Sequence, residues 1–396
     1  EEKWSNVSMA QRYCLNFASM RYADIPFGLT PGHAWLHEGA AGRIPHAQLL
    51  VGAEGSAALP LALAYAQRIL CSTNSGDDSC GTCPSCLMAN KLAHPDLHFS
   101  FPVIKRDGDS SAPISDQFLP DWRAFLSENS HPVFAHWLDF LRADNKQATF
   151  YVEEAKSVLT ALALKPHQGG KKVLLLWMPE KMPDAFANKL LKTIEEPEGE
   201  AVLLLVTHDE ESVLPTIASR CQRLFVPPVS RLNLENHLRA TGADAATATL
   251  AAMGAGGALG MAQHLVNHPE GLREFTELLA LLLRSAYRRS IVDLHQWSES
   301  VAGLIREKQK AFFQFTLETL SALVANKYQL DHSDPFALTG ISFSMGGFSK
   351  LVSTDQFEGL RVAVEEAEHD IARNGNAKIV LMDFSLQVLA LLSKNN

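Results

Sequence analysis

Two apolar runs constrain most of what this chain can fold into: Val173-Leu174-Leu175-Leu176-Trp177 and Ala201-Val202-Leu203-Leu204-Leu205-Val206-Thr207. Neither alternates polar with apolar residues, so each predicts a strand covered on both faces, as in a parallel sheet flanked by helices. Between them, Phe186, Leu190, Thr193 and Ile194 share one face of a helix that Pro197 stops. The stretch closes with the loop Leu214-Pro215-Thr216-Ile217-Ala218-Ser219-Arg220-Cys221. Strand, helix, strand and an arginine-bearing loop make an α/β layout. Sheets of this kind hold ligands at strand ends, where the polar residues of this stretch fall.

A second strand–turn–helix lies upstream. Ala47–Val51 reads as a short strand and Gly52-Ala53-Glu54-Gly55 as the turn after it. Leu59–Leu70 is a helix whose apolar face carries Leu61, Tyr65 and Ile69, with Pro60 tolerated in its first turn. A phosphate-binding loop belongs at such a place, and it needs Gly-x-x-x-x-Gly-Lys-Ser/Thr. Glycines let backbone N–H groups close on phosphates, the lysine reaches the outer oxygens and the hydroxyl holds Mg²⁺. Counting from Gly52, the last three positions are Ala57, Ala58 and Leu59, so lysine and hydroxyl are both missing. Gly52 and Gly55 keep part of a backbone cradle, which leaves passive nucleotide binding open.

Cys71, Cys80, Cys83 and Cys86 follow as Cys-x8-Cys-x2-Cys-x2-Cys, apart from the isolated Cys14 and Cys221. In a long chain whose start, Glu1-Glu2-Lys3-Trp4, shows no basic-then-apolar export pattern, clustering favours a metal over disulfides. Gly81 and Pro84 supply tight turns, and four ligands with no spare position fit structural zinc. An iron–sulfur cluster and four unrelated thiols remain open as alternatives.

The net charge of −9 argues against a surface that collects nucleic acid by itself. The longest apolar runs fall well short of the roughly 18 residues of a membrane span, and a cytoplasmic location is expected. Lys105–Gln117 is polar and reads as a loop. The aromatic stretch Trp122–Phe140 has helical spacing, and core packing suits it better than base stacking. Val152–Leu164 is an amphipathic helix ended by Lys165-Pro166. After Phe225-Val226-Pro227-Pro228-Val229 the chain turns helical. Gly254-Ala255-Gly256-Gly257-Ala258-Leu259-Gly260 is a turn, and Asn267-His268-Pro269-Glu270 marks a boundary. Farther on, Leu278, Leu282 and Ala286 form one apolar stripe, and Leu360, Val364, Ala367 and Ile371 another. Ile379, Met382, Leu386 and Leu389 form a third, and Ser353-x-x-Gln356 has the form of a capping box.

The run Asn188-Lys189-Leu190-Leu191-Lys192-Thr193-Ile194-Glu195-Glu196-Pro197, followed by Thr216-Ile217-Ala218-Ser219-Arg220-Cys221, resembles the bacterial clamp-loader branch of the AAA+ ATPases. The resemblance extends through Gly42-Arg43-Ile44-Pro45-His46-Ala47 and the cysteine cluster. It implies an α/β AAA+ P-loop-type domain with a zinc module, then a small helical lid domain and an all-α C-terminal collar domain. On that pattern residues 1–19 are an N-terminal extension, since Met20 stands where relatives usually begin. Residues 20–226 are the AAA+ domain with the zinc module at 71–86, 227–268 the lid and 269–396 the collar.

In that family the Ser-Arg-Cys motif supplies an arginine finger to ATP on a neighbouring subunit, a role that falls here on Arg220 between Ser219 and Cys221. Read alone, Arg220 is better explained as a surface charge or half of a local salt bridge. Set against the family, three things are lost. The loop (Gly52, Gly55, Ala58, Leu59) lacks its lysine and hydroxyl. Trp177 and Met178 stand where an acidic pair would sit, and Met261-Ala262-Gln263 replaces the neighbourhood of a phosphate-sensing arginine. Thr207 falls at the first phosphate sensor and is expected to be structural, and His208–Glu211 a solvated turn. The implied protein is a non-hydrolysing clamp-loader subunit of DNA polymerase III, without ATPase activity of its own. Its implied partners are gamma/tau-type motor subunits that bind the ATP, a delta-type subunit, the sliding clamp and primer–template DNA. A free-standing zinc-containing DNA-binding protein on an inactive AAA+ scaffold is the competing reading, and it would require a basic groove.

Overall fold

A computed structural model describes residues 21–26, 44–73, 78–106, 111–143, 146–167, 170–197, 199–304, 306–373 and 375–393. Residues 1–20, with Met20 and Cys14, and Gly42-Arg43 lie outside the described residues.

The described chain divides into two compact units, one running to Val229 with Ala258–Gly260, the other comprising Ser230–Gly257 and Met261 onward. In the first, β1 (Ala47–Val51) leads into α1 (Ala58–Leu70) and α2 (Pro84–Asn90). Then come β2 (Leu97–Ser100), α3 (Leu119–Glu128), α4 (Phe134–Phe140), α5 (Val152–Ala163) and β3 (Lys172–Trp177). The unit continues with α6 (Asp184–Glu195), β4 (Ala201–Thr207), the short α7 (Pro215–Ala218) and β5 (Gln222–Phe225). All pairings are parallel, in the order β2-β3-β4-β1-β5. β1 pairs in register Ala47 with Leu203 and Val51 with Thr207, while β4 meets β3 from Ala201 opposite Lys172.

The two continuous apolar runs become the central strands, and every residue of β3 and β4 is buried. Alternate residues feed two cores. Val173, Leu175, Trp177, Val202, Leu204 and Val206 pack with α1, α3 and α4. Leu174, Leu176, Leu203 and Leu205 pack with α5, α6 and α7. The sheet is therefore sandwiched between helical layers, the environment in which apolar residues on both strand faces lower the free energy. Because β1 lies between β4 and β5, the strand order reverses around it, and the crevice at its carboxyl end holds the remnant loop.

The aromatic stretch forms two helices, α3 ending at the Asn129 cap and α4 starting at Phe134, with Pro132 in the connection. Trp122, Phe125 and Trp137 are fully buried, with Phe101 stacked on Trp122 at 4.3 Å, so these rings are core.

The second unit is helical throughout: α8 (Arg231–Ala240), α9 (Ala245–Gly254), α10 (Leu259–Asn267, whose first two residues belong to the first unit), α11 (Pro269–Tyr287), α12 (Ile291–Ala302), α13 (Arg306–Lys327), α14 (Pro335–Thr339), α15 (Met345–Leu351), α16 (Thr354–Ala372) and α17 (Ala377–Ser393). Phe275, Trp297, Phe312 and Phe384 build its core. The stripe of α16 faces inward as its spacing predicts, and the capping box at Ser353 and Gln356 is formed. The stripe read on α17 needs correction. Leu381, Phe384, Ser385, Val388 and Leu392 are the buried face, whereas Ile379 is 68% exposed and Leu386 39%. α17 is apolar around most of its circumference, so spacing alone does not select the face that meets α11, α12 and α16.

Candidate functional site

The four clustered cysteines converge. α1 ends at Cys71, Gly81 reverses the chain with a left-handed φ of +71°, and Cys83 is the N-cap of α2, with Pro84 in its first turn. All four sulfurs lie within 4.8 Å of one another, with Cys71 to Cys83 at 4.0 Å and Cys80 to Cys86 at 3.8 Å. Four thiolates at about 2.3 Å around a tetrahedral metal stand about 3.8 Å apart, so the cluster fits such an ion and is far too open for disulfides. Hydrogen bonds reach the sulfurs from around the loop. Cys80 N–H donates to Cys71 Sγ (3.5 Å), Cys83 N–H to Cys80 Sγ (3.3 Å) and Cys86 N–H to Cys83 Sγ (3.4 Å). Thr73 Oγ1 donates to Cys80 Sγ at 3.2 Å and holds that thiol down at about 5, while burial pushes the Cys86 thiol up to about 12. The module can therefore bind a metal ion, and its all-sulfur donor set is consistent with zinc.

The loop at the end of β1 has glycine geometry without phosphate chemistry. Gly52 N–H donates to Thr207 C=O at 3.2 Å, Gly55 has φ +74°, and Gly55 C=O accepts from Gly260 N–H at 2.8 Å. Ala58 and Leu59, at the positions of the missing lysine and hydroxyl, are 1% and 2% exposed and belong to the apolar core. Glu54 turns its carboxylate onto the Phe134 N–H at the start of α4. That contact ties the loop to α4 and brings a negative charge to it, where an anion would be repelled.

The ends of β3 and β4 are likewise closed on each other. Trp177 is fully buried and donates Nε1–H to His208 Nε2 at 3.3 Å, and Met178 adopts a left-handed φ of 66°. Glu180 accepts from Thr207 Oγ1 (2.8 Å) and His208 N–H (3.2 Å). Thr207 thus has a structural partner, as expected of it. His208 is half-buried and hydrogen-bonded, which corrects the reading of a fully solvated turn from His208 on.

Ser219, Arg220 and Cys221 follow α7 directly. Cys221 faces the core, and burial raises its thiol to about 11. Ser219 and Arg220 face outward. The Arg220 guanidinium is ion-paired with Glu195 at the end of α6 and donates Nη1–H to Thr216 C=O at 2.9 Å. Glu195 was visible in the motif, but its role as partner is a tertiary fact. The motif residues do not all converge: the cysteines form one site, and Arg220 stands on the opposite helical layer from α1.

The family model for "DNA polymerase III, delta subunit" matches residues 33–230, from ahead of β1 to the end of the sheet-bearing unit. The chain belongs to that family. Among curated relatives of this delta-subunit family member, DNA polymerase III subunit delta' of Pseudomonas aeruginosa is 29% identical over 243 residues, 61% of each chain. The delta' subunit of Escherichia coli is 27% identical over 188 residues, 48% of this chain and 44% of its own. The gamma/tau subunit of Mycobacterium tuberculosis is 30% identical over 195 residues, 48% of this chain and 26% of its own. The chain thus spans about three fifths or less of the curated relatives it matches. A gamma subunit-related protein of Thermotoga maritima aligns with 91% of this chain and 99% of its own at 15% identity, with a TM-score of 0.32, too low to bear on function. Among the described residues, no helix is long and apolar enough to cross a membrane.

Proposed function

We propose that this chain is a delta'-type, non-hydrolysing subunit of the DNA polymerase III clamp loader, which lends Arg220 to ATP held by an adjacent motor subunit. One observation carries the reading: the phosphate-loop positions of lysine and hydroxyl are Ala58 and Leu59, buried in the apolar core, while the arginine of Ser219-Arg220-Cys221 is held at the surface. A chain that binds no phosphate of its own can still stabilise the charge that develops on a phosphoryl group bound elsewhere. A planar guanidinium does so effectively, by about 10³-fold or more in phosphoryl-transfer enzymes. Cys71, Cys80, Cys83 and Cys86 hold a structural zinc that fixes the loop between α1 and α2. Residues 227–268 act as a lid domain and 269–396 as a collar that packs against equivalent helices of gamma/tau-type and delta-type subunits. The sliding clamp and primer–template DNA are the substrates of the whole assembly, in the cytoplasm.

The test is the DNA- and clamp-stimulated ATPase of a loader reconstituted from its motor subunits and this chain, wild type against Arg220→Ala. Assembly is followed by gel filtration. A variant that assembles but turns over at least about tenfold more slowly bears out the finger, and unchanged turnover removes it. Failure of the wild-type chain to assemble with the motors removes the clamp-loader reading itself.

A further inference from the structure

Gln67 is the anomaly of the metal module. It lies in the last turn of α1, fully buried, and neither Nε2 nor Oε1 has a conventional hydrogen-bond partner. A carboxamide stripped of water without a partner is a net cost to the fold, so such a group is retained where something else meets it. It stands one helical turn before Cys71, in the helix that packs on α2, and α2 carries Cys86, the most deeply buried of the four ligands.

Four thiolates around a divalent cation leave negative charge in excess, and N–H donors around the sulfurs offset it. Cys80 takes two hydroxyls and a backbone N–H, and Cys71 and Cys83 each take a backbone N–H. Cys86, at 0% exposure, has no water to do this work.

We propose that Gln67 is an outer-shell positioning residue of the metal centre, its side-chain N–H donating to the Cys86 thiolate once a divalent cation is bound. The proposal rests on the four-cysteine metal reading, and the experiment separates the two. The full chain is purified with zinc and its metal content measured. Zinc transfer to a chromophoric chelator is then timed for wild type, Gln67→Met and Gln67→Glu. In parallel, the sulfur-to-metal charge-transfer absorption is recorded after substitution with Co²⁺.

Methionine matches glutamine in length and is at home in an apolar site, so a residue that only fills space would leave release unchanged. The expected result is one zinc per chain in wild type, release at least about tenfold faster in Gln67→Met, and a shifted charge-transfer band. Gln67→Glu, with a carboxylate facing a thiolate, is expected to release faster still, and it decides the matter by itself if the methionine variant does not fold. Wild-type release rates and an unshifted band in the folded variants overturn the role of Gln67. A wild-type chain that holds no metal overturns the metal centre, and Gln67's role with it.

Discussion

Arg220 and Glu195 form an ion pair across the surface between α7 and α6, with side-chain exposures of 38% and 49%. An exposed pair of this kind contributes only about 0–1 kcal/mol, because water screens it and holding two long side chains costs entropy. Its consequence is placement: Glu195 and the Thr216 carbonyl keep the guanidinium on the loop's outer side. Arg220→Ala and Glu195→Gln should therefore each change the unfolding free energy of the isolated chain by no more than about 1 kcal/mol in a denaturant titration. A larger loss would make Arg220 a structural residue, and its effect on a reconstituted loader would then say nothing about a finger.

Rebuilding the phosphate loop by sequence alone should fail. In Ala58→Lys with Leu59→Thr, an ammonium and a hydroxyl would enter positions 1% and 2% exposed, inside the cluster formed by α1 and the sheet. Burying an unpaired charge there should cost about 3 kcal/mol or more, with no gain in nucleotide binding. Chemical denaturation with and without Mg-ATP measures both. A variant of wild-type stability that binds nucleotide would show that the loop is a working cradle short of those two side chains.

The metal module also fastens the chain's N-terminal described segment. Asp78, between Cys71 and Cys80, accepts the N–H groups of Tyr22 and Ala23, each at 3.2 Å, and Tyr22 is buried in the core beside α1. With zinc held by the four cysteines, as proposed above, its removal by a chelator should free this segment, and trypsin should then cut after Arg21 at least about tenfold faster. Asp78→Ala should expose the same bond with the metal still in place. An unchanged cleavage rate after chelation would uncouple the segment from the cysteines.

The parts of this molecule that were legible in its sequence are those set by local pattern. Val173–Trp177 and Ala201–Thr207 read as strands buried on both faces, and the spacing Cys-x2-Cys-x2-Cys lets tight turns bring thiols to one centre. What was illegible depends on tertiary choice. α17 offers apolar residues on several sides, so only its neighbours decide that Phe384 faces inward and Ile379 outward. Likewise, nothing local says that Glu54 caps α4, that Glu180 holds Thr207 or that Glu195 takes Arg220, since each pair joins residues distant in the chain. Gln67 is by pattern an ordinary polar residue of an amphipathic helix, and its full burial follows only from how that helix packs.

A buried carboxylate gives the sheet-bearing unit a definite pH dependence. Glu154, in the first turn of α5 and 3% exposed, accepts from Ser100 Oγ and Ser115 N–H, each at 2.7 Å, and from Ser115 Oγ. Burial nevertheless raises its pKa above the ordinary 4.5, the serine donors opposing the shift and nearby Asp116 adding to it. A carboxyl with a raised folded pKa binds its proton more tightly in the native state, so its contribution favours folding below about 4.5. That contribution is lost as pH climbs through the raised value, after which the curve is flat. Glu154→Gln removes the titration while keeping the shape. The comparison of interest is the difference between the two stability-versus-pH curves, because the glutamine's own fit changes only its level. Denaturant midpoints taken every half unit from about pH 4 to 8 should show wild type losing stability relative to Glu154→Gln as pH rises through the lower part of that range. A flat difference curve would mean that the three donors cancel the burial cost. A curve of opposite slope would mean that they outweigh it and that Glu154 is held charged.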